Sequence, residues 1–397
     1  MAKNIDRSNY NVADDLEPII VNSIFQSANG GSTKRQSRLA SDLLEKDPAM
    51  SQAWSVRVAS IASCPFEIIG GDKDKNQFII ESLARIQPNY ETGLVGFKEL
   101  LQNLQSAVMH GFATAETEWL NGGSKIEGFR LYNQSLFSYA DNAVIPFYSN
   151  DGVDKKISYP RWIYHTATNS RDTEPLRSGL VRPLAYLYSF RRHVNIQFLR
   201  GIEKFSIPLA WAKVPDDLFE DSEQRGNLEA MLSNWTYDGF AISNSDVELT
   251  FPTASAEFKS EIFLDYLNYT EKQIFRLILG QDSTSSADNS NRSTAQVHNL
   301  VRQDLLSSDA LAVEQTVNNQ IIKPLMFATY GEDMKDMPVF KFILKGLDET
   351  QAQANIIKTL DEAGFEVNAK ELSARLGFRV FKKDMREDIK KVNEVKP

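Results

Sequence analysis

Three consecutive stretches decide how this chain is organised: SAEFKSEIFLDYLNYTEKQIFRLILG at 255–280, QDSTSSADNSNRST at 281–294, and AQVHNLVRQDLLSSDALAVEQTVNNQIIKPL at 295–325. The first predicts a helix capped by Ser255, with Glu257 where a carboxylate complements the helix dipole. Its apolar residues, among them Phe258, Ile262, Phe263, Tyr266, Ile274 and Ile278, cover more than one face, so it must be packed from several sides. Eleven of the fourteen residues in the middle stretch are Ser, Thr, Asn or Asp, too polar to fix a loop by burial. The third stretch repeats Val297, Leu300, Val301 and Leu305, then Leu311, Val313, Val317 and Ile321, at helical spacing up to Pro324, where a kink or an end is expected. The reading is a polar loop carried between two stiff helices.

Upstream, IPLAWAKV at 207–214, a helical pattern through Leu228, Met231, Leu232 and Trp235, and two short runs, FAIS at 240–243 and VELTF at 247–251, predict a compact β, α, β insert. Before it, 180–205 reads as a helix opened by Pro183 and stopped by Pro208. Its aromatics Tyr186, Tyr188, Phe190, Phe198 and Phe205 fall around much of its circumference, and its charges are five Lys or Arg against Glu203. The insert therefore sits between two long helices that can run antiparallel.

The N-terminal half reads as α+β. Asp47 caps a helix with Pro48 at its first position, Met50, Trp54, Val58 and Ile61 repeat at helical spacing, and Cys64–Pro65 ends it before a strand at 66–69. Phe97, Leu101, Leu104 and Val108 mark a second helix stopped by Gly111, followed by a strand at 113–120. From 125 to 165 short strands alternate with turn signals as in a β meander. A strand at 338–344 and two short helices after Asp348 complete the chain. Residues 1–47, with Gly30, Gly31 and the cations Lys34, Arg35 and Arg38, predict a solvated arm.

Composition narrows the function classes. The chain has 397 residues and a formal net charge of −9, which excludes an ordinary groove-tracking DNA binder with a basic surface. Its apolar runs are broken by charges, so no bilayer span is expected, and the first fifteen residues lack the apolar core of a signal peptide. One cysteine, Cys64, excludes an intrachain disulfide and points to a reducing cytoplasm, with the thiol expected as a small buried hydrophobe. His110, His165, His193 and His298 show no ligand spacing and are expected to be structural. No phosphate-cradling GxxxxGK[ST] is present, so ATP hydrolysis is not expected. The sharpest enzymatic pattern is the acidic run Asp216, Asp217, Glu220, Asp221 and Glu223, which could hold a divalent metal in a nuclease or hydrolase, against a plain reading as a solvated face.

LILGQDST at 277–284, AQVHNLVRQDLLSSDA at 295–310 and NNQIIKPL at 318–325 resemble the portal proteins of tailed phages, in the branch that includes phage Mu. The resemblance extends upstream through YPRWIYH at 159–165, GLVRPLAYL at 179–187 and EKFSIPLAWA at 203–212, in the same block order. It implies a portal fold: a wing at 48–178, a first stem helix at 179–205, a clip at 206–253 and a second stem helix at 254–280. A tunnel loop at 281–294 follows, then a kinked helix and wing strand at 295–346, and a small helical crown with the C-terminal tail at 347–397.

The resemblance further implies a non-enzymatic ring, typically of twelve subunits, assembled in the host cytoplasm and placed at one capsid vertex of the virion. Its implied partners are the major capsid protein, the terminase large subunit, a head–tail adaptor and double-stranded DNA passing non-specifically. No cofactor, metal or membrane is implied. The expected DNA contacts are Gln281, Asp282, Ser283, Thr284, Ser285, Ser286, Asn289, Asn291 and Arg292 in the loop, with Lys272 and Arg276 on the preceding helix. The acidic run becomes a docking surface on the clip.

Overall fold

A computed structural model of the chain describes residues 12–141, 143–150, 153–167, 175–206, 210–215, 220–235, 240–244, 259–281, 292–331, 336–344 and 359. It divides into two compact units, Met1–Ser63 with Glu67–Lys341, and Cys64–Phe66 with Phe342–Pro397.

The first unit opens with two packed helices, α1 (Pro18–Asn29) and α2 (Lys34–Lys46), in place of the expected arm. The reason is legible in hindsight: Val21, Ile24 and Phe25, then Leu39 and Leu43, stand at helical spacing, and all five are buried in one apolar cluster with Val181, Leu184, Ile274 and Ile278. Gly31, at φ +92°, makes the turn between the helices, where an added Cβ would lie 2.2 Å from the Tyr139 carbonyl oxygen.

Helix α3 (Pro48–Ala62) is capped as expected, Asp47 Oδ1 accepting from the amides of Ala49 (3.0 Å) and Met50 (3.1 Å). Its buried stripe is Met50, Ala53, Arg57 and Ile61, one position round from the expected Trp54 and Val58. Strand β1 (Phe66–Ile69) follows, then α4 (Lys73–Ala84), which the sequence reading left unassigned. Next come α5 (Phe97–Gln105) and α6 (Ala107–His110), ended by left-handed Gly111.

The expected meander separates into two antiparallel sheets. In one, β2 (Phe112–Leu120) lies between β3 (Lys125–Leu131) and β7 (Trp162–Thr166); in the other, β4 (Phe137–Ser138), β5 (Phe147–Asn150) and β6 (Val153–Lys156) run in order. The last strand returns to β2 because Phe112, Phe137, Tyr148 and Trp162 close one aromatic cluster between the sheets.

After α7 (Pro175–Ser178) comes α8 (Val181–Ser206). The insert is β8 (Ala210–Val214), α9 (Ser222–Trp235) and β9 (Phe240–Asn244), the strands pairing in parallel with Trp211 opposite Ala241, as a helical crossover requires. The third strand expected at 247–251 lies outside the described residues. Helix α10 spans Ser260–Leu279, with Lys259 outside it; the expected cap Ser255 is not among the described residues. Helix α11 (Arg292–Val317) begins three residues earlier than expected, so Arg292, Ser293 and Thr294 belong to the helix and not to the loop. No Gly or Pro separates them from the apolar repeat, so nothing stops the helix short of them.

Pro324 does not end this helix. A π-helical turn at Asn318–Ile322 is followed without a break by α12 (Lys323–Tyr330). The missing proline amide thus falls where the hydrogen-bond ladder is already offset. That turn also presents two amide side chains to sheet edges. Asn318 donates to the Phe340 carbonyl (2.9 Å) and accepts from its amide (2.7 Å), while Gln320 does the same at Tyr164 (2.7 and 2.8 Å). Phe340 lies in β10 (Val339–Phe342), which pairs with β1.

In the second unit the Ile343 amide donates to the Pro65 carbonyl (2.8 Å). Cys64 is half-buried, not fully buried, and burial raises its thiol above the ordinary range. The segment expected as the crown, 347–397, lies outside the described residues except for Thr359.

Candidate functional site

Helices α8 and α10 pack side by side and run antiparallel: Phe198 stacks on Phe263 at 5.7 Å between ring centroids, and Arg191 reaches Glu271 at 3.9 Å. Their adjoining ends are deep in the apolar cluster, through Val181, Leu184 and Ala185 on one helix and Ile274, Phe275, Ile278 and Leu279 on the other. Away from that end the burial stops. From Phe190 to Ile202, and from Ser260 to Tyr269, no residue is buried. Phe190 is 49% exposed, Leu199 58%, Ile262 64% and Tyr269 57%. The rods that looked too apolar for their length therefore keep bare apolar surface within one chain.

At the buried end of α10 the chain is locked. Gly280 is left-handed (φ +75°), its amide donates to the Arg276 carbonyl (3.0 Å), and an added Cβ would meet Leu305 at 2.8 Å and Val301 at 2.9 Å. Deeper, the buried Arg57 guanidinium makes two parallel bonds to Asp309, Nε to Oδ2 and Nη2 to Oδ1, each 2.9 Å. Its Nη1 donates to the Ile278 carbonyl (2.7 Å), placing a cation at the C-terminus of α10, and Gln105 Nε2 donates to Asp309 as well. One network thus joins α3, α5, the end of α10 and the middle of α11. Arg292 stands nine residues before Val301, so the start of α11 lies about 13 Å along the helix axis from the contact with Gly280.

The expected loop residues fare differently. Gln281 is buried, with its Oε1 unpartnered. Arg292 is in the first turn of α11. Asp282, Ser283, Thr284, Ser285, Ser286, Asn289 and Asn291 lie outside the described residues. Lys272 and Arg276 are exposed, one turn apart on one face of α10. The sequence reading missed Arg57, Gln105 and Asp309. A signal for Arg57 existed, since it falls in the Met50, Ala53, Ile61 stripe, but a cation there reads first as surface.

In the acidic run, Asp221 is the cap of α9: its Oδ1 accepts from the amides of Glu223 (2.9 Å) and Gln224 (3.2 Å), and those bonds hold its carboxyl below the ordinary range. Glu220 and Glu223 are exposed, and Asp216 and Asp217 lie outside the described residues. No group of three or more His, Cys, Asp or Glu that could hold a metal occurs among the described residues. His110 and His165 are buried, with burial lowering each to about 4, and His165 Nδ1 lies 2.7 Å from Thr316 Oγ1. His193 is exposed. No described helix is long and apolar enough to cross a membrane.

This arrangement has known counterparts. The chain shares 25% identity over 369 residues with the Mu-like prophage FluMu protein gp29 of Haemophilus influenzae, covering 89% of this chain and 69% of that one. It shares 24% over 334 residues with the portal protein of Escherichia phage Mu, covering 82% of this chain and 64% of that one, so it spans about two thirds of these relatives' length. Its fold matches a chain from the neck of an empty GTA particle computed with C6 symmetry, with a TM-score of 0.56 and 12% identity, covering 85% of this chain and 92% of the other. The family described as the portal protein of Mu bacteriophage matches residues 37–378, and that family's members are structural capsid components and not enzymes. A hairpin of long helices bracketing a small α/β insert, on an α+β body tied together by a buried ion network, is therefore the portal fold, and this chain belongs to the family of Mu bacteriophage portal proteins.

Proposed function

We propose that this chain assembles into a closed ring at one vertex of a phage capsid and serves as the conduit through which double-stranded DNA is packaged and later leaves. The observation that carries the reading is the bare apolar surface on the outer halves of α8 and α10, which a neighbouring copy would cover. In this reading 48–178, joined by α11 to β10, is the wing, α8 and α10 are the stem, and the insert 206–253 is the clip. The acidic residues of the insert, Glu220 and Glu223 among them, offer a docking face for a terminase or a head–tail adaptor.

The segment after the buried Gln281 faces the DNA in this reading, with Arg292, Lys272 and Arg276 as phosphate contacts and the hydroxyl and amide side chains of 282–291 adding sequence-independent hydrogen bonds. A ring multiplies each contact by its subunit number, so weak contacts centre the duplex without stalling it. The chain's acidity suits a conduit, because a strongly basic wall would hold DNA in place. Electron microscopy and native mass measurement of the purified chain, alone and mixed with capsid protein, test the reading. Rings with a central hole are expected, and a monomer under every condition would sink it.

A further inference from the structure

We infer that neighbouring copies meet across the α8/α10 hairpin with a fixed polarity: the basic outer half of α8 in one copy seats on the acidic outer half of α10 in the next, Arg200 facing Glu261 and Asp265. This rests on the ring reading and names its contact.

The two helices carry opposite charge on their free halves. Between Val181 and Ile202, α8 has no acidic residue; between Ser260 and Glu271, α10 has no Lys or Arg. Part of this charge is matched inside one chain. Arg191 pairs with Asp47 (3.1 Å) and approaches Glu271, and Arg192 reaches Asp15 (3.3 Å). Arg200, Glu261 and Asp265 have no ion-pair partner among the described residues, and all three are exposed.

Each unmatched charge stands beside bare apolar surface. Arg200 adjoins Leu199, and Ile262 with Tyr269 flanks Asp265 on one face of α10. The two faces are unlike, so neither can pair with itself: α8 on α8 would set cation against cation, and α10 on α10 acid against acid. A head-to-tail contact, α8 onto α10, satisfies both and closes a ring.

The heights agree as well. Rotation about an axis parallel to the rods leaves each residue at its own level, so residues level within one copy are level between copies. Phe198 is level with Phe263 and Arg191 with Glu271, which puts Arg200 level with Glu261 and one turn from Asp265.

The test is charge reversal in the full chain, reading the protein concentration at which half of it is in rings, by native mass and light scattering at low and high salt. Arg200→Glu is expected to raise that concentration about tenfold or more, because every contact around the ring carries the reversed sign. Glu261→Arg with Asp265→Arg should do the same, and the triple variant should return assembly to near the native concentration. Circular dichroism confirms that each variant is folded, and Arg200→Gln, expected to give a smaller shift, serves where the reversal does not fold. A folded Arg200→Glu variant that assembles at the native concentration, or a triple variant no better than its parents, overturns the proposal. So does lost DNA binding with unchanged ring assembly, which would assign the α8 cations to phosphate instead. Native rings indifferent to every reversal sink the polarity alone, whereas a native chain that never forms rings removes the ring reading with it.

Discussion

Arg57 and Asp309 are the residues that hold the end of α10. Both are almost fully buried, and they bring α3 and α11 together at the point where α10 ends. Removing one partner leaves a buried charge uncompensated, so Asp309→Ala should destabilise the first unit by about 3–5 kcal/mol, whereas replacing both with apolar residues of similar size should recover most of the loss. Urea unfolding of the two single variants and the double variant measures this as a coupling energy. A loss below about 1 kcal/mol for Asp309→Ala would show that the ion pair holds nothing. The sequence gives each residue a helix and a face, but it does not say that a cation on one buried stripe meets an anion 252 residues away. Gly280 is a similar case. Its position as a helix stop is legible, yet the side chains of Val301 and Leu305 that leave no room for a Cβ come from the next helix.

At the scale of elements, α11 is the part with two tasks. Its π-helical turn is fixed to two strand edges by Asn318 and Gln320, and its first turns extend past the end of α10. In the proposed conduit, contacts to DNA near its start would be carried by a helix fixed at its far end, so changing them should leave assembly undisturbed. Neutralising Lys272, Arg276 and Arg292 together should leave ring formation intact and lower DNA retention in packaged particles. Quantifying encapsidated DNA against ring yield checks this, and normal packaging by the triple variant would remove these cations from the DNA path. The helices themselves were legible because their apolar repeats are long. What periodicity misplaced were ends and faces: α11 begins at Arg292, α3 buries Arg57 more fully than the half-buried Trp54, and residues 18–46 fold into packed helices despite their glycines and charges.

For the molecule as a whole, two buried histidines make stability depend on pH. Burial holds His110 and His165 neutral down to about 4, against an ordinary value of 6.5. The unfolded chain therefore binds more protons between these values, so the stability they support is complete above pH 6.5 and is lost as pH falls toward 4, by as much as about 3 kcal/mol per histidine. Asp42, whose burial raises its carboxyl above 3.8, acts in the opposite direction. Thermal unfolding from pH 7 to 4 should show Tm falling, and His110→Gln with His165→Gln should flatten that slope. An equal slope in the variant would place the titration elsewhere.

By itself the sequence determined the class, the two long helices around an α/β insert and the family, because repeat patterns, caps and motif blocks are local and survive in one dimension. Only the tertiary structure decided which side chains those helices leave bare, which charges remain unmatched, and how the chain is locked at Gly280. Those depend on which distant residues arrive at the same place, and chain-local periodicity carries no record of that.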